Sequence, residues 1–272
     1  MPVTNLIDFK AILIVALVFV PLELLIPLRP KQKLLRRHWL NDVVYLFLNG
    51  ILVGIGLLVF LGGIVALVRL AVPHAAQVTI QSQPILPQVI EVLLLADIGF
   101  YLAHRAFHTV PFLWKIHSVH HSIEEMDWLA AHRVHPLDQI LTMTASYLPI
   151  FALGFSENAI LIFALIYRWQ SVAIHSNTAI GLGPLKWIFT TPQFHHWHHA
   201  NEPAAFDKNF AAQLVLLDLI GGTLFMPKGT PEKYGTDHAV PAFFHEQMVY
   251  PFRAAPVLPQ TGASQVSGDG RL

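Results

Sequence analysis

ILPQVIEVLLLADIGFYLAHRAFH, residues 85–108, runs a nearly unbroken apolar segment straight into two histidines. Residues 85–103 approach the length that crosses a bilayer as a helix, and only Glu91 and Asp97 interrupt them with charge. His104 and His108 follow, four positions apart, so a continuing helix presents both imidazoles on one face. A membrane helix ending in a pair of metal-competent side chains sets the expectation for the rest: an all-α integral membrane protein. Four further apolar runs fit that reading, at 11–28, 43–70, 139–153 and 158–174. Together they predict four to five membrane helices, two hairpins plus one. A helical cap on the cytoplasmic face would carry the histidines.

The composition agrees. Apolar residues make up 54% of the 272 and charged residues 12%, the latter about half the share usual in a soluble domain. Net charge is zero, so nothing points to a nucleic-acid partner. Cysteine is absent, which excludes disulfides, iron–sulfur clusters, thiolate-ligated haem and cysteine zinc sites. Residues 11–28 read as a first span rather than a secretion leader, because no basic n-region precedes them and no small-residue cleavage site follows. Residues 1–253 read as a single membrane catalytic domain, and 254–272 as a disordered tail. Residues 72–87 read as a polar connection, and 211–220 as a short apolar helix.

Histidine is abundant, 16 copies, and clumped. After His104 and His108 come His117, His120 and His121, then His195, His198 and His199, with His196 as an extra. Offsets of three and four place each set on one helical face. Eight imidazoles are too many for one metal ion, and two ions with four or five ligands each would use them. Packed together without metal, they would leave buried nitrogens unsatisfied or force cations together. Imidazole suits zinc, copper, iron and nickel alike. A structural zinc explains too few ligands, and the H-E-x-x-H of a zinc protease is missing.

Charge bias gives an independent check. Arg29, Lys31, Lys33, Arg36 and Arg37 follow the first span and place that loop in the cytoplasm. Counting spans from there brings His104–His121, His175 and His195–His199 to the same, cytoplasmic, side. The small residues Gly50, Gly54, Gly56, Gly62 and Gly63 suit close helix approach in lipid. Trp114, Trp128, Trp169, Trp187 and Trp197 are read as interfacial anchors.

The boxes H-x3-H, H-x2-H-H and H-x2-H-H around apolar spans resemble the sterol desaturase / fatty acid hydroxylase superfamily. So do Arg133-Val-His135-Pro136, His175-Ser-Asn177 and Thr191-Pro-Gln-Phe-His195. Asp207-Lys-Asn209-Phe210, Asp218 and Gly222-Thr223 resemble its closing segment, and the likeness covers about residues 97–227. Ala211 and Gly221 depart from it, standing where glycine and an aromatic are usual. The resemblance implies two non-haem irons, dioxygen as co-substrate and a separate electron donor, acting on a lipid such as a sterol or fatty acyl chain by hydroxylation or desaturation. It adds His175 to the ligands, and assigns His104, His117, His120, His195 and His198 to one ion and His108, His121, His175 and His199 to the other. His135 would complete a ligand shell or hydrogen-bond a ligand; His132 and His196 stand as further candidates.

Asp97 lies in a span, where a carboxylate is costly, on the helical face of His104 and His108. The expectation is a hydrogen bond to the far nitrogen of a ligand histidine; the alternative is an interhelical hydrogen bond with no metal role. Two other classes compete with the oxygenase. A histidine-rich metal transporter or sensor would need polar residues through the spans, which are nearly absent. A bis-histidine haem protein would pair histidines within facing spans, whereas these lie at span ends. Neither the lipid, the donor nor the oligomeric state is legible.

Overall fold

Prolines open three of the helices around the histidines. Pro111, Pro136 and Pro192 each sit in a first helical turn, where the missing N–H would have no partner anyway and the fixed φ favours entry. The computed structural model describes residues 9–253. Among them the order is α1 (Phe9–Leu25), α2 (Trp39–Arg69), α3 (His74–Gln81), α4 (Ile85–Thr109), α5 (Pro111–His121), α6 (Pro136–Leu153), α7 (Glu157–His175), α8 (Pro192–His198), α9 (Leu216–Gly221) and α10 (Phe244–Val249). No strand occurs among the described residues, only isolated bridges. The expected tail lies outside them.

Two helices, α2 and α4, are long and apolar enough to cross a membrane. In α2 only 11% of the most apolar window is buried, and Leu58, Val59, Leu67 and Leu70 are exposed. A core helix of a soluble protein would have these side chains covered, so the outer face of α2 fits lipid. α6 and α7 follow one another across a short turn and both pack on α4; Gly154, at φ 77, ends the first, and the Ser156 hydroxyl accepts from Ala159 N to cap the second. Between α4 and α6 the approach is close, because a Cβ at Gly99 would fall on the carbonyl of Ala145. Val92, Ala96, Ile150, Ala159 and Phe163 fill the space among α4, α6 and α7. α1 lies outside them, its Val15 and Phe19 packed on Trp128, Leu129 and Val172.

Several expectations need correction. The first run leaves the helix after Leu25, and the chain beyond it pairs with the stretch after α7 through Pro27 and Thr178. The connection at 72–87 contains a helix, α3. Residues 211–213 are not helical; their segment is held out by side-chain acceptors described below. Of the glycines in α2, Gly56 alone meets a neighbour, Ile140. Trp114, Trp128 and Trp197 are buried core residues, while Trp169 and Trp187 remain exposed.

Candidate metal centre

The ends of α4 and α7 meet α5 and α8 at one place. All nine expected ligands are buried there and fall into two groups: His104, His108, His117, His121 and His198, and His120, His175, His195 and His199. Within each group one ring nitrogen per histidine lies within 4.8 Å of all the others. The grouping differs from the expected division, since His120 and His195 join His175 and His199 while His108 and His121 join the first group. Helix geometry explains the exchange in α5: His117 and His121, four apart, share a face, and His120 between them is turned aside.

What orients each ring is the hydrogen bond on its outer nitrogen. His104 Nδ1 donates to Phe210 O at 2.7 Å, His117 Nδ1 to Asp138 Oδ2 at 2.6 Å and His198 Nδ1 to Lys208 O at 2.8 Å. His120 Nδ1 donates to Arg133 O at 2.9 Å and His175 Nδ1 to Ser171 O at 2.6 Å. Since a carbonyl or carboxylate only accepts, the proton of each neutral ring sits on Nδ1 and the Nε2 lone pair faces inward. Yet His104 Nε2 lies 3.0 Å from His117 Nε2, and His120 Nε2 lies 3.1 Å from His175 Nε2. Two lone pairs at that separation repel unless a cation lies between them. Protons are poor candidates: burial pushes His120 down to about 4 and holds His121, His195, His198 and His199 well below the ordinary imidazole range. Among the described residues, the buried His108 Nε2, His195 Nδ1 and His199 Nδ1 have no hydrogen-bond partner. This donor set fits metal ions.

The outer acceptors are themselves anchored. Residues 207–214 carry the carbonyls that hold His198 and His104, and three side chains clamp that segment. Asp218 accepts from Phe210 N and Ala211 N. Asn209, at φ 59, donates to Phe194 O and Phe225 O and accepts from Phe225 N. Asp97 accepts from Ala212 N, Gln213 N and Leu214 N at 2.7–3.1 Å. The expected bond from Asp97 to a ligand histidine is therefore absent; its carboxylate satisfies backbone donors that a helix over 211–213 would have used. Gly221, the second departure from the family pattern, leaves room for the Tyr101 hydroxyl, which bonds Thr223.

Sequences similar to this one agree with the geometry. The family model described as fatty acid hydroxylase matches residues 89–223, a range holding all nine histidines. The chain belongs to the fatty acid hydroxylase family. It is 30% identical over 170 residues to ornithine lipid hydroxylase OlsE of Rhizobium tropici, covering 62% of this chain and 51% of that one. Alkylglycerol monooxygenase of Xenopus tropicalis is 33% identical over 148 residues, 54% of this chain and 32% of the relative. Methylsterol monooxygenase 1 of Rattus norvegicus is 29% identical over 134 residues, 48% and 44%. The match thus spans about half the length of the first relative and a third of the second. No solved structure matches the chain.

Three other candidates lie outside the two groups. His135 caps α6, its Nδ1 accepting from Leu137 N while Nε2 faces Met248 O. His196 bonds the Tyr234 hydroxyl and Ser176 O. His132 packs against Trp128. Sequence reasoning missed Asp138, the one carboxylate hydrogen-bonded to a grouped histidine; an acid in the first turn after His135-Pro136 was the available signal. It placed Arg36 in the cytoplasmic basic loop and gave it no partner. Arg36 is buried and bridges Asp42 at 2.5 Å and Asp127 at 2.7 Å, and Asp42 also binds Arg133, whose carbonyl holds His120. A cavity of about 100 Å³ opens on the histidines, walled by Phe100, Gln139, Thr142, Met143 and Tyr167.

Proposed function

We propose that this chain is a membrane-bound, oxygen-dependent lipid hydroxylase or desaturase with a non-haem di-iron centre. His104, His108, His117, His121 and His198 would hold one ion, and His120, His175, His195 and His199 the other. The observation that carries the reading is the fixed tautomer of five histidines, which aims lone pairs at each other at distances only a cation relieves. Imidazole suits several metals; two irons are the choice that fits the similarity to lipid hydroxylases and monooxygenases. Such a centre, when loaded, supplies the oxidising power to attack an unactivated C–H bond.

The chain's own residues do the rest. Burial keeps the imidazoles neutral and therefore ready to ligate. Asp138 holds the proton of His117 on its far nitrogen, Nδ1, and fixes the ring's orientation. Phe100, Met143 and Tyr167 line the small cavity with apolar surface that admits a hydrocarbon segment and excludes water. Hydroxylation balances as R–H plus O2, two electrons and two protons giving R–OH and water, so a separate electron donor protein is required. Loss of a second hydrogen from the neighbouring carbon gives the alkene instead. In the membrane, α1, α2, α4, α6 and α7 would give up to five spans in a single catalytic domain, with the histidine end on the cytoplasmic side beside Lys31, Lys33 and Arg37. A substrate dissolved in the bilayer accounts for a catalytic centre at helix ends.

Iron analysis of protein reconstituted with ferrous iron is the direct test, with two irons per chain expected and a clear loss in His120→Ala. Lipid mass spectrometry of cells expressing each form should then show a product one oxygen heavier, or two hydrogens lighter, with the wild type only. A Soret band, or an unchanged lipid profile despite confirmed expression and reductant, would overturn the proposal.

A further inference from the structure

Behind the small cavity lies a larger one of about 460 Å³, walled by α1, α2, α6 and α7. Gln139, Met143, Tyr167 and Ser171 line both, so these side chains partition two adjoining chambers. The larger wall carries Arg168, well inside α7. The other arginines near the site are committed: Arg36 to Asp42 and Asp127, and Arg133 to Asp42. Arg168 has neither an ion pair nor a side-chain hydrogen bond among the described residues, and no carboxylate lines the cavity. Arg168 is exposed on the open side of this cavity; with α7 in the bilayer, as proposed above, an unpaired guanidinium there calls for an anion. The other basic side chain in the wall, His132, is pushed down to about 4 by burial and by the charge of Arg168, so Arg168 supplies the positive charge there.

We propose that the larger cavity receives the anionic group of a lipid, a carboxylate or a phosphate, with Arg168 as its counter-ion. The inference rests on the lipid-oxidising function proposed above and names its substrate class. It also sets regiochemistry. Arg168 and His175 are seven residues apart on α7, about 10 Å of helix axis. Ser171, on the partition between them, holds the His175 ring through its carbonyl. A lipid anchored at Arg168 therefore presents to the histidines carbons near its charged group, rather than the far end of its chain.

The test is lipid binding to the purified full chain in neutral detergent, read by native mass spectrometry and titration. Palmitate and phosphatidic acid serve as anionic probes, with methyl palmitate and diacylglycerol as their uncharged counterparts. Wild type should bind one anionic lipid per chain, on the order of tenfold or more tighter than its neutral counterpart, as a charge-assisted hydrogen bond implies. Whichever acid binds tighter tells carboxylate from phosphate. Arg168→Gln should lose the preference, and Arg168→Lys should keep part of it, with less of the forked recognition. Equal affinity for charged and neutral probes, non-saturating binding, or an unchanged preference in Arg168→Gln would overturn the proposal. If Arg168→Gln does not fold, the wild-type comparison of acid with ester and the Arg168→Lys titration still decide. Iron is counted on the same samples. A preference without iron sinks the di-iron function and spares the cavity; iron without a preference does the reverse.

Discussion

The two histidine groups are built to different standards. In the first, His104, His117 and His198 have their outer nitrogens fixed by Phe210 O, Asp138 and Lys208 O, and Asp207 approaches His108 Nδ1 at 3.5 Å. In the second, His120 and His175 are fixed by backbone carbonyls, but Nδ1 of His195 and of His199 is buried without a protein partner. The first group has five nitrogens and a carboxylate bonded to a ligand; the second has four nitrogens and none. Anchored, charge-compensated ligands bind a cation more tightly than neutral ones without a hydrogen bond on the outer nitrogen, so the second group should be the labile half.

The largest effect should come from removing one ligand on each side. His195→Ala leaves three nitrogens, and we expect iron to fall to about one per chain with turnover abolished; His121→Ala leaves four and should retain more iron. Equal iron loss in the two variants breaks the comparison. Next comes Asp42→Ala, which strands the buried Arg133, leaves Arg36 with Asp127 alone, and frees the loop that holds His120. A broken buried pair costs about 3–5 kcal/mol, so chemical denaturation should show a loss of that size, with iron leaving the second group first. A smaller change is expected for Asp138→Asn, which keeps the shape but removes the charge behind His117. Ligand partners of this kind are worth about 10–100-fold in metal affinity or activity, here falling on the first group. Unaltered affinity in a competition titration would remove Asp138 from the centre.

Much of this arrangement was legible because histidine spacing and helix period are local. His104 with His108, and His117 with His121, follow from a repeat of four. Which cluster meets which was not legible, since it depends on how α7 and α8 dock onto α5. The error over Asp97 has the same origin. Periodicity put its carboxylate on the correct face of α4, but the partner there is a backbone segment more than a hundred residues later, and no local pattern announces that residues 212–214 arrive with free N–H groups. The burial of Arg36 was illegible for a related reason: it depends on Asp127, 91 residues away, together with Asp42.

The smallest effect separates metal ligands from histidines that are merely buried. His196 lies outside both groups, fully buried between Tyr234 and Ser176, and desolvation pushes it down to about 4. In the unfolded chain it titrates near about 6.5. A base with a lowered folded value stays neutral in the fold while the unfolded chain takes up a proton, so its stability contribution is complete above about 6.5 and is lost as pH falls towards about 4. Between about pH 7.5 and 5.5 that amounts to roughly 1 kcal/mol. Iron-loaded protein should lose this much over that interval, and His196→Gln should flatten the dependence by the same amount, because the titration survives metal binding. The grouped histidines behave otherwise: metal suppresses their protonation in the fold, so the acid loss attributable to them appears as iron release. If melting of the loaded wild type and the loaded His196→Gln protein fell in parallel over this range, acid sensitivity would belong to the metal groups alone.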